Sequence, residues 1–576
     1  MYEKEISKLI ALAVGEGLSE SEIENLLVPP KDISLGDICM PCFRLAKAFR
    51  KNPVAIAEEL ATKIEKPSFI SEIKAVSGYL NFKFSASSSA KLVIEEVLEQ
   101  KDKYGCSTEG EGKTICIDYS SVNICKPLHM GHLSTTVIGA ALYRIHKALG
   151  YDVVGINHLG DWGTQFGKMI VAFKLWGDKD KIDANGVKAL HEIYVKYHQE
   201  AEINPALDDE ARAWFKKIED GDSEAIHLYN WFKEVTLKEV NRVFDRLEVP
   251  FDSYNGEAFY NDKMAPVLDR LKDKGLLKES EGAQVVEFED MPPCLLVKKD
   301  GATLYATRDL AAAYYRKATY NFYKCLYVVA YQQNLHFKQF FKVLELAGEP
   351  WAKDMHHVSF GMVSLEEGSM STRSGNVVYL EDVINKAVDK ARSIVEEKNP
   401  TLANKEEVAE MVGVGSVVFS ALVNGRIKDI VFSYDKVLNF EGETCPYVQY
   451  TYARCSSLLA RAGEDVDFSK GDYSVLDDDN SKELVRALSE YKKAVKESAE
   501  KFEPYLVTRS VLNICGLFNK FYFENRILNA PEGVKEARLA LTSAVRTVIK
   551  NGFGLLGIKV EPGCRFISLK LNFDFP

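Results

Sequence analysis

Two short stretches of the chain carry residue types suited to chemistry at phosphates. The first is His129-Met-Gly-His132, which follows an apolar run, Thr114–Tyr119, and a turn, Ser120–Leu128, and precedes a helical pattern from Leu133. With 10 histidines and 37 glycines in 576 residues, chance supplies H-x-G-H only about 0.01 times. In open α/β sheets, ligands lie beyond the carboxyl ends of strands, where helix N-termini also present amides to phosphate. Two imidazoles placed there can hydrogen-bond phosphate oxygens and stabilise charge that grows during in-line displacement. The bland alternative is a pair of histidines capping a helix. The second stretch is Ser369-Met-Ser-Thr-Arg-Ser-Gly-Asn376. Gly and Ser make it flexible, and Arg373 with its hydroxyl neighbours can meet a triphosphate. Loops of this composition are common on surfaces, so its weight lies in its place at the far end of the same α/β region.

The elements that must position these residues follow from the hydrophobic pattern. Thr114–Tyr119, the helix Leu133–Leu149, Gly150 in a helix C′ position and the run Tyr151–Ile156 form one βαβ unit of a parallel sheet. A further strand is expected over Cys325–Ala330, with a helix through Phe337 to Leu346. Amphipathic helices from Trp162 to Leu277, then a hairpin over Gln284–Lys298, read as insertions into a doubly wound fold. Before this region, one amphipathic helix is expected over Met1–Leu27, another over Phe43–Lys63, and a hairpin over Ile73–Phe84; Glu109–Lys113 reads as a linker or turn. From Glu406 to Lys550 the pattern is helical nearly throughout. The fold class is therefore α/β, a Rossmann-type doubly wound parallel-sheet domain with helical insertions, preceded by an α+β N-terminal domain and followed by an all-α C-terminal one. The expected boundaries are 1–110, 111–405 and 406–576, a division that 576 residues invite.

Composition narrows the function class. A hydrophobic content of 46% with 27% charged residues is that of a soluble globular protein, and no apolar run has membrane-spanning length. The N-terminus lacks the order of a signal peptide, so a cytoplasmic location and no membrane partner are expected. The 11 cysteines are scattered and odd in number, which suits a reducing compartment. Cys39-Met-Pro-Cys42 has no second ligand pair, and His191 and His198 have no acid placed as in HExxH, so these are read as packing residues and no protein metal site is expected. Net charge is −11, and any nucleic-acid partner therefore needs a local basic surface. The window 481–550 supplies one, with 13 Lys or Arg against 8 Asp or Glu, an excess of +5. Lys492, Lys493, Lys496 and Lys501 are its candidate contacts.

The stretch Asp118-Tyr-Ser-Ser-Val-Asn-Ile-Cys-Lys-Pro-Leu-His-Met-Gly-His132 resembles the "HIGH" region of arginyl-tRNA synthetases. Asn157–Gly167, Asp300–Leu310, Tyr331–Phe337 and the "KMSKS"-like loop 369–373 are also similar to that family. The N-terminal Gly36-Asp37, Lys51-Asn-Pro53 and Gly78–Phe82 look like its additional domain, which meets the elbow of tRNA, and Tyr447–Arg454 looks like the start of its helical anticodon-binding domain. Val122, Cys125 and Ser134 stand where the family usually has proline, alanine and arginine. Ser369 takes the first lysine position of the loop, for which Lys126 compensates in this family, and Gly563–Pro576 has no counterpart.

The resemblance implies ATP-dependent activation of L-arginine to arginyl-adenylate and its transfer to tRNA(Arg), with Mg²⁺ accompanying the triphosphate and the enzyme acting as a monomer. It assigns His129, Gly131, His132 and Lys126, with Met370, Ser371 and Arg373 of the loop, to ATP and to catalysis. Asp118 and Asp309 would pair the guanidinium beside Tyr305, and Asn123 and Gln333 would take the α-amino end. Apart from the resemblance, Asp309 reads as an N-cap or an ion-pair partner of Arg308 or Arg316. A cysteine- or glutamate-specific class I enzyme, a cytidylyltransferase and a non-charging tRNA-binding paralogue are the alternatives. The cysteine enzyme would show zinc-type Cys/His ligands, which are lacking here, the cytidylyltransferases are far shorter, and intact His129, His132 and Lys126 oppose the last.

Overall fold

The computed structural model describes residues 2–15, 18–30, 32–299, 301–365, 378–463 and 465–560. They group into two compact units. One holds Gly105–Ala453, Lys492–Leu512 and the chain from Lys550; the other holds the chain up to Tyr104, Arg454–Tyr491 and Asn513–Ile549.

The first of these units is built on a four-stranded parallel sheet. In chain order its parts are β1 (Thr114–Asp118), helix α1 (Leu133–Ala148), β2 (Asp152–Ile156), insertion helices that include α2 (Val187–Ile203) and α3 (Ser223–Arg246), α4 (Tyr305–Tyr320), β3 (Lys324–Tyr327), α5 (Asn334–Leu346) and β4 (Met355–His357). The strand order is β4-β3-β1-β2. The chain leaves β1 in one direction to form β2, then returns to the other side for β3 and β4. That reversal opens a crevice beyond the carboxyl ends of β1 and β3. Four of the five residues of β1 are buried, as expected for a central parallel strand covered on both faces.

Helix α1 has no polar face: 13 of its 16 residues are buried. It packs so close to β1 that a Cβ on Gly139 would lie 2.3 Å from the ring of Tyr119. Gly150 ends the helix with φ +83°, in the C′ position that the spacing predicts. After the sheet come β5 (Val363–Leu365), α6 (Leu380–Lys398) and β6 (Ile430–Phe432), and β5 pairs with β6 in parallel. The latter strand interrupts the helical pattern expected from Glu406 onward. The hairpin expected over Gln284–Lys298 is a three-stranded antiparallel meander, Lys278–Ser280, Ala283–Val286 and Cys294–Val297.

The other unit contains a three-stranded antiparallel sheet. The expected hairpin is there as Ile70–Val76 and Tyr79–Phe84, and Ile38–Pro41, absent from the sequence reading, pairs with Tyr79–Phe84. Its core holds Ile6, Ile10, Met40, Leu80 and Phe82. The two long helices expected here are both broken. Tyr2–Val14 is followed by a separate helix Glu20–Glu24, begun by a capping box of Ser19 and Glu22. Phe43–Phe49 stops at Arg50 with φ +51°, and Pro53–Lys63 starts afresh with Asn52 as N-cap and Pro53 in its first turn. Within the same unit the hydroxyl of Tyr104 donates to the carbonyl of Leu488 in the helix Asp479–Lys501 (2.9 Å).

Helix propensity alone would make Gly139→Ala stabilising by about 1 kcal/mol. Close packing on Tyr119 reverses the sign: we expect a lower thermal midpoint, an overpacking cost of about 1–3 kcal/mol. An unchanged or raised midpoint in calorimetry would show that α1 moves away freely.

Candidate active site

The turn between β1 and α1 is strained and held from several sides. Ser120, Ser121 and Cys125 have φ of +69°, +49° and +64°, a left-handed conformation costing about 1–3 kcal/mol for a non-glycine residue unless its surroundings impose it. The surroundings do so here. The amide of Ser120 donates to the hydroxyl of Thr135 (3.0 Å), that of Cys125 to the hydroxyl of Thr236 (3.1 Å), and the hydroxyl of Ser121 to Asp118 (2.9 Å). The segment Val122–Ile124 pairs with Gly160 on both sides of Asn123, whose side chain stays exposed.

His129 and His132 face each other with ring centres 4.0 Å apart. Nδ1 of His129 accepts the amide of Gly131 (3.1 Å), and Nδ1 of His132 accepts the amide of His129 (3.2 Å). With both Nδ1 atoms serving as acceptors, the proton of each neutral ring sits on Nε2. Burial keeps them neutral. It lowers His129, helped by the Lys126 charge and by His191, and pushes His132 down to about 3, helped by His129. Lys126, an exposed residue, is itself lowered, chiefly by partial desolvation. Gly131 has a local reason to be glycine: a Cβ there would sit 2.9 Å from Nδ1 of His129. Beyond this turn, the amide of Met130 donates to Val378 (3.1 Å) and that of Leu380 to Leu128 (2.9 Å). The chain leaving the loop thus pairs with the HxGH turn. Met370, Ser371 and Arg373 lie outside the described residues.

The carboxylates sort into two groups. Asp118 is already engaged: Nη2 of Arg316 donates to its Oδ2 (2.7 Å), and both side chains are buried. The same Nη2 lies 3.2 Å from Nδ1 of His158. Asp309, about a quarter exposed, meets Nε2 of His336 on α5 (2.7 Å). It is neither an N-cap nor the partner of Arg316, and Arg308 reaches Asn261 instead (3.3 Å). Tyr305 is half exposed, its ring centre 4.7 Å from that of His336. Gln333 is exposed on the 3₁₀ turn entering α5. Glu257, absent from the sequence reading, belongs with Asp309. Burial raises its carboxyl to about 7, with Arg308 opposing and Asp309 and Asp161 adding to the rise. The signal available in the sequence was slight, an acid after a glycine in Tyr254-Asn-Gly-Glu257.

A family model described as the catalytic domain of class I tRNA synthetases (R) matches residues 93–434. The Arginyl tRNA synthetase N terminal domain matches 2–84, and the DALR anticodon binding domain matches 448–561. The arginine–tRNA ligase of Alkaliphilus metalliredigens is 50% identical over 560 residues, 97% of this chain and 99% of its own. The chain belongs to the arginyl-tRNA synthetase family. The Clostridioides difficile arginine–tRNA ligase is 52% identical over 94% of this chain and 96% of its own. In fold, the chain matches the Thermus thermophilus arginyl-tRNA synthetase with a TM-score of 0.76 at 26% identity, covering 98% of this chain and all of that one.

Against the family pattern, Ser134 is buried in the first turn of α1, and its hydroxyl has no partner among the described residues. Three of the four lysines read as contacts for this synthetase's nucleic acid make ion pairs within the chain. Lys496 meets Glu109 (2.9 Å), Lys501 meets Glu497 (2.7 Å), and Lys493 lies 3.7 Å from Glu497. Lys492 shares their helix.

The neutral HxGH pair makes a prediction about acid. His132 is held near 3 in the folded chain and titrates near 6.5 when unfolded. Its folded pKa is depressed, so the stability it contributes is whole above pH 6.5 and is lost as pH falls towards 3. Relative to wild type, His132→Asn should take up close to one proton fewer on unfolding between pH 4 and 6. The pH dependence of thermal melts for both proteins measures this, and parallel curves would place the titrating group elsewhere.

Proposed function

We propose that these residues carry out the arginine–tRNA ligase reaction in the following way. The arginine carboxylate attacks the α-phosphorus of ATP, pyrophosphate leaves, and a hydroxyl of the terminal adenosine of tRNA(Arg) then attacks the acyl carbon of the adenylate, releasing AMP. No enzyme nucleophile is needed; positioning and charge stabilisation supply the rate. The observation that carries this reading is the pair of hydrogen bonds by which the amides of Gly131 and His129 donate to Nδ1 of His129 and of His132. Both rings present Nε2–H as donors at the reversal point of the sheet, and neutral donors of fixed orientation stabilise phosphate oxygens without reorganising. Lys126 adds the cation, and Gly131 gives room to the ring of His129. Ser371, Met370 and Arg373 complete the ATP site from the loop.

Asp309 and Glu257 are the carboxylates for the guanidinium, with Tyr305 beside them. Asp118, held by Arg316, acts on this pocket through its buried pair, and Asn123 and Gln333 bind the α-amino end. Among the described residues no cluster of three or more His, Cys, Asp or Glu is arranged to hold a metal ion. Mg²⁺ is read as accompanying the triphosphate of the substrate, and no step of this chain's own residues is routed through it. Domains of 1–110, 111–405 and 406–576 would divide the work between the tRNA elbow, the chemistry and the anticodon stem. The enzyme is read as a cytoplasmic monomer, and among the described residues no helix is long and apolar enough to cross a membrane. ATP–pyrophosphate exchange with each amino acid, with and without tRNA, tests the whole assignment. Exchange should require arginine, and another amino acid in its place would overturn it.

A guanidinium between two carboxylates should lose about 2–5 kcal/mol when one is truncated. Asp309→Ala is expected to raise the arginine KM strongly and leave the ATP KM nearly constant. Asp309→Asn should blunt discrimination against citrulline, which has arginine's shape without its charge. An Asp309→Ala enzyme charging tRNA with wild-type KM for arginine would put the guanidinium elsewhere.

Exposed ion pairs such as Lys496–Glu109 and Lys501–Glu497 are worth only about 0–1 kcal/mol, so phosphates can replace the glutamates. Charge reversal of Lys492, Lys493, Lys496 and Lys501 should weaken tRNA binding and flatten its salt dependence. An unchanged slope in filter binding would return these lysines to a solvated face.

A further inference from the structure

His191, an ordinary helix residue by sequence, lies beside a residue whose backbone pairs with His129. That residue is Tyr379, which forms an antiparallel bridge with His129, fixed on either side by the Met130–Val378 and Leu380–Leu128 hydrogen bonds. Its side chain meets helix α2. The hydroxyl of Tyr379 and Nδ1 of His191 share a hydrogen bond of 3.4 Å, and the two rings stand edge to face, 6.3 Å between centres and 86° between planes. The ammonium of Lys188, one turn earlier on α2, lies 5.0 Å from the centre of the Tyr379 ring and pairs with Asp382 of α6 (2.8 Å). The start of α2 is anchored in turn, since the amide of Val187 donates to Glu239 of α3 (3.0 Å).

Tyr379 thus joins three elements, the HxGH turn through its backbone, α2 through its side chain and the first turn of α6 that it precedes. A hydrogen bond of 3.4 Å is weak by itself. Its leverage comes from what Tyr379 is attached to. The ring of His129 is locked to its own backbone through Nδ1 and the Gly131 amide, so any shift of that backbone carries Nε2 with it. Misplacement of a catalytic donor by a fraction of an ångström is enough to slow a reaction that runs on positioning.

We propose that Tyr379 and His191 form a clamp that positions the imidazole of His129 for the nucleotide's phosphates. Both are positioning residues and touch no substrate. The proposal rests on the reading of His129 as a phosphate donor. Direct contact is made by His129, and the clamp is felt through the backbone pairing, so its loss should appear in the ATP step and leave arginine binding alone.

The test is ATP–pyrophosphate exchange, with arginine and tRNA present, for Tyr379→Phe, His191→Leu, the double variant and His129→Ala. Tyr379→Phe keeps the ring under Lys188 and removes only the hydroxyl. We expect kcat to fall about fivefold in each single variant, the ATP KM to rise about threefold and the arginine KM to stay constant. The double variant should be no worse than the weaker single, because both substitutions remove the same contact. His129→Ala should fall further, by roughly 10²- to 10³-fold. Wild-type kcat and ATP KM in both singles, alongside a crippled His129→Ala, would overturn the clamp and leave the phosphate reading standing. Losses that multiply in the double variant, or ATP and arginine KM rising together, would also overturn it. An unimpaired His129→Ala would instead remove the phosphate reading on which the clamp depends.

Discussion

The hydroxyl of Thr135 accepts the amide of Ser120 at the end of β1 and donates to the carbonyl of Val328 at the end of β3 (3.0 and 2.6 Å). Thr135 sits in the first turn of α1 and is buried. One side chain therefore satisfies the backbone of two neighbouring strands just beyond their paired residues, at the place where the sheet order reverses. An unmade hydrogen bond at a buried backbone group costs about 1–3 kcal/mol, and two would be unmade here. The strained turn of Ser120, Ser121 and Cys125, the start of α1 and the HxGH motif all hang from this point. The same hydroxyl serves as donor and acceptor, which valine, of similar shape, cannot do.

The electrostatics of the crevice follow from how its charges are spent. The imidazoles, partly buried, stay uncharged and contribute direction rather than charge. The guanidinium of Arg316 is paired with Asp118 in the interior, at a desolvation cost that a buried pair recovers only with good geometry. Nε and Nη1 of Arg316 have no hydrogen-bond partner among the described residues, though its guanidinium lies over the ring of Tyr327, 5.4 Å from the centre. Asp309 is in turn met by Nε2 of His336 (2.7 Å). Burial raises the carboxyl of Glu257 to about 7, with Arg308 opposing and Asp309 and Asp161 adding to the rise.

Where the sequence was legible, a strong local rule coincided with the fold. The run Thr114–Tyr119, the HxGH turn, α1 and Gly150 form an unbroken strand–turn–helix grammar, and each element lies within a residue or two of its expected place. The misses have particular causes. Arg50 and Asn52-Pro53 break a helix that periodicity alone would continue, although the proline was in plain view. Ile38–Pro41 and Ile430–Phe432 are too short to show a period and exist because a partner strand supplies the hydrogen bonds. In the site, Asp118 and Asp309 looked alike as carboxylates near motifs. Only packing distinguishes them, by placing Arg316 against one and His336 against the other. Glu257 and His191 carried no motif, and their surroundings come from parts of the chain far away in sequence.

Helix α1 is buried on nearly every side, with Gly139 cut back to admit Tyr119, and Tyr119 is fastened by its hydroxyl to the carbonyl of Pro250. An amphipathic helix could roll or slide on its apolar face; one packed all round has nowhere to go without opening voids that cost dispersion energy on each flank. The HxGH turn at its head therefore behaves as the fixed jaw of a vice. Amide exchange along α1 should accordingly be among the slowest in the molecule.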